Sequence, residues 1–255
     1  MEVLLKISYR GYCQETGEET LISNFELMVI QANTLFVHDS KGQLKFINEP
    51  VAPEKYPAPR LFIGRTEVGS VYRFRYDLPK IICNQLEESI LLESPPRGIA
   101  QQSDYFETVK KILDSHAPIQ RVYAGPAFRF PDTLNRTAEA VSVDRHNAEL
   151  LEFGFSDWID GLDHIQPCMG VLEEGRVVSL CCSVRKSSKA EEAGVETLTS
   201  YRGKGYAARA VASWAQTVKE KGRIPFYSTS WDNRASQRVA QKLGLTPFGI
   251  DFNFF

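Results

Sequence analysis

From residue 168 to residue 254 the sequence switches between the two hydrophobic periods in one fixed order, and that order leaves few folds open. Cys168–Leu172 and Arg176–Val184 read as strands joined by the turn Glu173-Glu174-Gly175. Ala193–Leu198 continues as a third strand. Tyr206, Ala207, Ala210, Val211, Trp214 and Val218 then recur at helical spacing, and Gly222 stops that helix. Ile224–Trp231 is the next strand, with Pro225 confined to its first positions, where a missing donor is tolerated. Asp232 or Asn233 caps a second helix with Ser236, Val239, Ala240 and Leu243 on its inner face and Gly244 at its end. Pro247–Phe254 is the last strand. Hairpin, strand, helix, strand, helix, strand is an α+β order: one sheet with helices against it.

Upstream the pattern is less regular. Gln120–Phe130 is strand-like but interrupted by Gly125-Pro126, and Thr137–Phe153 offers helical spacing at Val141, Ala148 and Leu151. Before residue 118, short strand-like runs alternate with turns. Thr34–His38 and Gln43–Ile47 flank the turn Asp39-Ser40-Lys41-Gly42, and Arg60–Gly64 and Ser70–Tyr76 form a second pair around Glu67-Val68-Gly69. Helical spacing follows over Ile81–Glu93 and Tyr105–Leu113, separated by Ser94-Pro95-Pro96. His116-Ala117-Pro118 ends the second helix, which sets the expected division at 1–118 and 119–255. The length of 255 residues slightly favours two domains over one.

Composition removes several classes of protein. With 43% hydrophobic residues there is material for a core, yet the longest near-apolar run, Val177–Val184, is broken by Ser179 and Ser183. A spanning helix needs about 20 apolar residues. Met1-Glu2-Val3 lacks the basic start of a secretory signal. Five cysteines without a C-x-x-C pair and four isolated histidines suggest neither a disulfide framework nor a metal site. The expectation is a soluble, cytoplasmic protein. A net charge of −2 argues against general nucleic-acid binding. The charge is uneven, however: between Tyr201 and Leu245, Arg202, Lys204, Arg209, Lys219, Lys221, Arg223, Arg234, Arg238 and Lys242 face only Glu220 and Asp232. Such a local excess suits a small polyanion.

The strand-to-helix junction Val195–Ala207 says where that polyanion would sit. Two glycines and two cations stand where a helix begins, so backbone N–H groups, the helix dipole and side-chain charge converge. The segment fits neither a Walker loop, which needs Gly-Lys-Ser/Thr, nor a dinucleotide fingerprint, which needs a third glycine. Arg202-Gly203-Lys204-Gly205-Tyr206-Ala207 does resemble the R/Q-x-x-G-x-G/A signature of the GNAT superfamily of N-acetyltransferases. Asn233, Ser236, Ala240, Gly244 and Leu245 follow at the spacing of that family's second segment, whose pattern is Asn, small residue, Tyr, Gly, Phe. The close resemblance covers residues 168–255, and Tyr227–Asn233 is also similar to bacterial GNAT-like proteins with an added N-terminal region.

The resemblance implies a GNAT-like mixed, mostly antiparallel sheet flanked by helices, preceded by a smaller α+β N-terminal domain. It implies acetyl-CoA as cosubstrate, without a metal. Arg202, Gly203, Lys204, Gly205, Tyr206 and Ala207 would cradle the pyrophosphate. Thr197, Leu198 and Thr199, with Glu196 before them, would run beside the pantetheine arm, and Asn233 and Ser236 would meet it from the far side. An N–H near Thr197 would stabilise the developing oxyanion.

Aminolysis of a thioester needs a base to free the amine lone pair. Glu196, inside the motif, is the first candidate; Glu191 aligns with the base of some histone-acetylating members, and Glu192 is also available. Ala240 stands where many relatives carry a tyrosine that protonates the leaving thiolate, so Tyr201, Tyr227 or Ser236 would have to substitute. The acceptor expected is a small-molecule amine or a peptide, with neither nucleic acid nor membrane as partner, and a homodimer is left open. The competing reading is a catalytically weak CoA- or acyl-CoA-binding module. Cys181-Cys182 read as core, and Trp231 as either core or an aromatic wall for a substrate.

Overall fold

A computed structural model describes residues 22–52, 54–92, 105–134 and 140–255. Helix α1 (Asn24–Leu35) leads into the hairpin β1 (Phe36–His38) and β2 (Leu44–Ile47). The hairpin β3 (Leu61–Thr66) and β4 (Gly69–Phe74) precedes helices α2 (Lys80–Leu92) and α3 (Tyr105–His116). Then come β5 (Val122–Arg129), β6 (Ala140–Ser142), two 3-10 segments (Arg145–Leu151 and Ser156–Trp158), β7 (Cys168–Glu173), β8 (Arg176–Lys186) and β9 (Ala190–Thr197). A 3-10 turn, Thr199–Tyr201, leads to α4 (Tyr206–Glu220), β10 (Ile224–Ser228), α5 (Arg234–Lys242) and β11 (Thr246–Phe254).

Among the described residues nine strands form one sheet in the order β4-β3-β11-β5-β10-β9-β8-β7-β6. Every neighbouring pair is antiparallel except β9 and β10, which run parallel. This is the expected mixed, mostly antiparallel sheet flanked by helices. Alternation along β5 assigns the layers. Val122 and Ala124 pack into the cluster under α2 and α3, Phe128 and Phe130 into the cluster under α4 and α5, and Ala127 into the one beneath α1. Helices α2 to α5 therefore cover one face, and α1 with the first hairpin covers the other. Trp214 of α4 is fully buried, and its indole N–H donates to Ser183 Oγ at 2.9 Å.

The structure departs from the expectations in five places. Helix α1 carries too little periodic contrast to be read from its sequence, because half-buried Phe25, Val29 and Ile30 lie outside the face formed by Leu27, Met28, Gln31, Ala32 and Thr34. Its start is nevertheless encoded: Ser23 Oγ accepts from the Glu26 N–H, and the Glu26 carboxylate accepts from the Ser23 N–H. The helix expected over Thr137–Phe153 is instead β6 and a 3-10 segment, with residues 137–139 outside the described residues. Asp144 and Asn147 side chains bind the backbone locally and compete with α-helix.

Strand β5 also runs unbroken through Gly125-Pro126. A Cβ at position 125 would lie 1.8 Å from the Thr229 carbonyl oxygen, so only glycine fits. Pro126 faces Thr229, just past the end of β10, and its carbonyl accepts from the Thr229 N–H at 3.3 Å. The sheet does not break at residue 118 either: β3 and β4 extend it through β11. Residues from before 118 also tie onto β8 and its following turn, through Arg185–Glu49 at 2.9 Å, Asn48 Nδ2 to Lys186 O at 2.7 Å and Thr34 to Ser187 at 2.9 Å. Finally, Cys168 and Cys182 lie opposite each other in the β7–β8 register and are joined as a disulfide. Strand register brings them together, not a spacing motif. Glu93 and Ser94-Pro95-Pro96 lie outside the described residues.

Candidate active site

Parallel pairing between β9 and β10 is short. It covers Ile224↔Ala190, Pro225↔Glu191 and Phe226↔Glu192 and then stops. Beyond it β9 follows β8 as far as Thr197, while β10 follows β5 as far as Ser228. The two strands splay into a wedge whose closed end is Glu192 and Phe226. The Leu198 N–H is bonded to Val178 O of β8, and Glu196 O accepts from Ser179 Oγ on the same side. Alternation turns the N–H groups of Val195 and Thr197 toward the open side.

The wedge leads to the start of α4. Gly203 and Gly205 have φ of 79° and 87°, left-handed values that other residues adopt at a cost. Gly205 is the N-cap and offers no side-chain cap, so the first-turn N–H groups of Tyr206 and Ala207 keep their free donors. Cations surround them. Arg202 Nε donates to Thr197 O at 3.2 Å, Lys204 lies 5.2 Å above the Tyr201 ring, and Lys242 Nζ from α5 comes within 2.6 Å of where a Gly205 side chain would begin. Backbone N–H groups and cations converge here among the described residues, an arrangement that fits a pyrophosphate.

Several of the expected side chains point elsewhere. The Tyr206 ring is buried and its hydroxyl donates to Glu173 at 2.5 Å, leaving only its backbone to the cradle. Leu198 packs against Gly154, and Thr199 lies exposed in the 3-10 turn. Asn233 caps α5, with Oδ1 accepting from the Ser236 N–H at 3.0 Å. Ser236 Oγ meets the Tyr227 hydroxyl at 2.6 Å. Tyr227 follows Phe226, the last residue of β10 paired with β9, and is 1% exposed; burial pushes its phenol up to about 12. Ala240 is buried in the same cluster.

The three glutamates of β9 separate by face. Glu191 turns toward α4 and is closed off: Arg223 donates to it at 2.6 Å, and Ser183 Oγ donates to its other oxygen. Both oxygens of Glu191 are therefore engaged by Arg223 and Ser183, on the face away from Glu192. Glu191→Ala is accordingly expected to lower stability by about 3 kcal/mol, the low end for a broken buried pair because Arg223 is partly exposed. Denaturant titration checks this, and CoA affinity should not follow. Glu196 turns to the opposite face and is exposed, with Oε2 accepting from the Trp158 indole at 3.1 Å.

Glu192 is the residue that sequence reasoning did not single out. It closes the wedge, is 4% exposed, and accepts from Ser228 Oγ at 2.7 Å. Burial pushes its carboxyl up to about 7, against the lowering effect of the Ser228 hydrogen bond. Gln31 sits close without forming a bond of proper geometry, and Oε2 has no hydrogen-bond partner among the described residues. Asp251, on the same face, is pushed well above the usual carboxylate range by burial and then by the Glu192 charge. A period-2 reading of Ala190–Thr197 would have put Glu192 with Glu196 and apart from Glu191, but its place at the closed end depends on the β10 register. Among the described residues no group of His, Cys, Asp and Glu side chains could hold a metal ion, and no helix is long and apolar enough to cross a membrane.

No curated protein matches the chain. Among solved structures, an acetyltransferase of the GNAT family from Novosphingobium aromaticivorans is similar at 18% identity and a TM-score of 0.46. That match covers 53% of this chain and 65% of the other, less than two thirds of the relative's length. A GCN5-related N-acetyltransferase-like protein from Streptococcus suis matches at 16% identity over 80% of this chain and 87% of its own, with a TM-score of 0.46. An aminoglycoside N-acetyltransferase in complex with CoA matches at 19% identity over 42% of this chain and 90% of its own, with a TM-score of 0.34. The family model for GNAT acetyltransferases matches residues 133–248, the span that holds β6 to α5, the wedge and the cradle. Over those residues, just under half of the chain, the sequence is similar to the GNAT acetyltransferases.

Proposed function

We propose that the protein is an acetyl-CoA-dependent N-acetyltransferase that acylates a primary amine of a small molecule or peptide. The observation that carries this reading is the wedge between β9 and β10, open onto the glycine cradle of α4. Acetyl-CoA supplies an activated acyl carbon. The cradle holds its phosphates through the N–H groups of Tyr206 and Ala207 and the charges of Arg202, Lys204 and Lys242. The wedge orients the thioester, with the Thr197 N–H directed at the carbonyl oxygen. Glu192 Oε2 accepts the proton of the incoming ammonium, the nitrogen bonds to the acyl carbon, and the carbon–sulfur bond breaks. The Tyr227 hydroxyl gives its proton to the departing sulfur in place of the absent tyrosine at 240, and the second proton, lost from the adduct nitrogen as the amide forms, restores the phenol through solvent.

Release of free CoA thiol from acetyl-CoA across a panel of primary amines tests the reading. Tyr227→Phe is expected to slow single turnover by about 10²-fold while CoA still binds, and Tyr201→Phe is expected to have little effect. An unaffected Tyr227→Phe enzyme would return the acid role to water. The buried Ala240 supports a second reading, a CoA- or acyl-CoA-binding module of weak activity. CoA binding without thiol release from any amine would favour it.

A further inference from the structure

A cavity of about 500 Å³ opens along α5 on the flank away from α4, and nothing in the acyl-transfer reading uses it. Its volume lies within the range of small-molecule sites, roughly 300–1,000 Å³. The floor is apolar, with Phe128 from β5 and Leu245 and Pro247 around the start of β11. Trp231, 41% exposed, Arg234 and Arg238 also line the cavity. Gln237 Nε2 donates to Ser230 O at 3.1 Å and to Trp231 O at 2.7 Å, which fixes the loop that carries the indole.

The charges of this groove have no internal answer. Arg234 and Arg238 stand one helical turn apart, where like charges repel and weaken a helix. Neither pairs with a carboxylate among the described residues, and no acidic side chain lines the cavity. Two guanidiniums match the two charges of a phosphate monoester and bind its oxygens in forked geometry. An exposed indole over an apolar floor matches a flat ring.

We propose that the groove binds a phosphate monoester carrying a flat ring, the chemistry of a nucleoside monophosphate, at a site separate from the CoA cradle. The two lie on different flanks of α5. Lys242 reaches Gly205 on one side, while Gln237 and Gln241 line the groove roughly 140° and 100° of helix turn away; Arg238, one turn before Lys242, stands at the edge between the two.

Calorimetric titration of the full chain with AMP, phenyl phosphate and adenosine, each with and without saturating CoA, tests this. AMP and phenyl phosphate are expected to bind, and adenosine about tenfold more weakly or worse, since removing a charge-assisted hydrogen bond typically costs about that factor. The double variant Arg234→Gln/Arg238→Gln changes only exposed positions to another good helix former. It should lose AMP binding about tenfold or more while its melting temperature and its CoA response stay unchanged. Absence of heat with both phosphates at millimolar concentration would overturn the proposal. Equal AMP affinity in the double variant would also overturn it. So would displacement of AMP by CoA, because the groove would then be the nucleotide end of the cosubstrate site.

Discussion

Glu192→Gln is expected to lower turnover by about 10²–10⁴-fold at pH 7 while leaving CoA affinity unchanged. The carboxyl closes the wedge, away from the cradle, and has one oxygen without a partner among the described residues. A base must be deprotonated to act. With its pKa pushed up to about 7, Glu192 gives wild-type activity a rising limb centred near that pH. The variant should lack this limb and retain only the gentler rise from free amine. Glu196→Gln, at an exposed position, should keep it. Equal pH profiles for wild type and Glu192→Gln would remove the residue from the chemistry and return Glu196 or bulk water to the role.

The same substitution has a stability consequence of opposite sign. A carboxyl whose folded pKa lies above its unfolded value of 4.5 holds its proton more tightly in the folded state. Stability therefore falls as pH rises from about 4.5 to about 7 and stays lower above that window. Glutamine carries no such penalty. Glu192→Gln should melt higher than wild type at pH 8, by the equivalent of about 1–3 kcal/mol, and the gap should close below pH 4.5. A loss of activity with a gain of stability distinguishes a destabilised catalytic group from a structural one. A lower melting temperature would mean that the Ser228 hydrogen bond outweighs desolvation.

The parts of the fold that the sequence made legible are those where local period and tertiary role agree. α4 and α5 repeat at helical spacing around their buried sides, and β7 and β8, buried on both faces, read as apolar runs bounded by the turn Glu173-Glu174-Gly175. α1 was hidden because half-buried apolar residues lie off its buried face as well as on it, and β5 because Gly125-Pro126 mimics a turn while answering to the close approach of Thr229. The cradle was legible for a similar reason, since left-handed glycines and cations act within a few residues of one another. The base was not. Which glutamate of β9 meets the wedge depends on how far β10 pairs before it diverges, a long-range register that no local pattern carries. Lys242 is likewise invisible as part of the cradle until α5 is laid beside Gly205.

Gly205→Asp is expected to abolish the stabilisation that CoA gives the wild-type protein. A ligand that binds only the folded state contributes about 2.7 kcal/mol at a concentration of 100 Kd, which for a chain of this size is a rise of roughly 5–10 °C in melting temperature. The substitution acts in three ways. An L residue at a φ of 87° is strained, the new Cβ would sit 2.6 Å from Lys242 Nζ, and the carboxylate would occupy the cradle and pair with that lysine. The first two effects lower the stability of the free protein, so Gly205→Ala serves as the companion that carries strain and crowding without charge. Gly205→Ala should retain part of the CoA shift and Gly205→Asp none of it. Lys242→Gln, at an exposed position, should keep the fold and weaken CoA by about tenfold, the worth of one charge-assisted hydrogen bond. If folded Gly205→Asp shows the full wild-type shift, CoA binds elsewhere on the molecule, and the wedge would then have to be read as a seam in the sheet that holds no pantetheine.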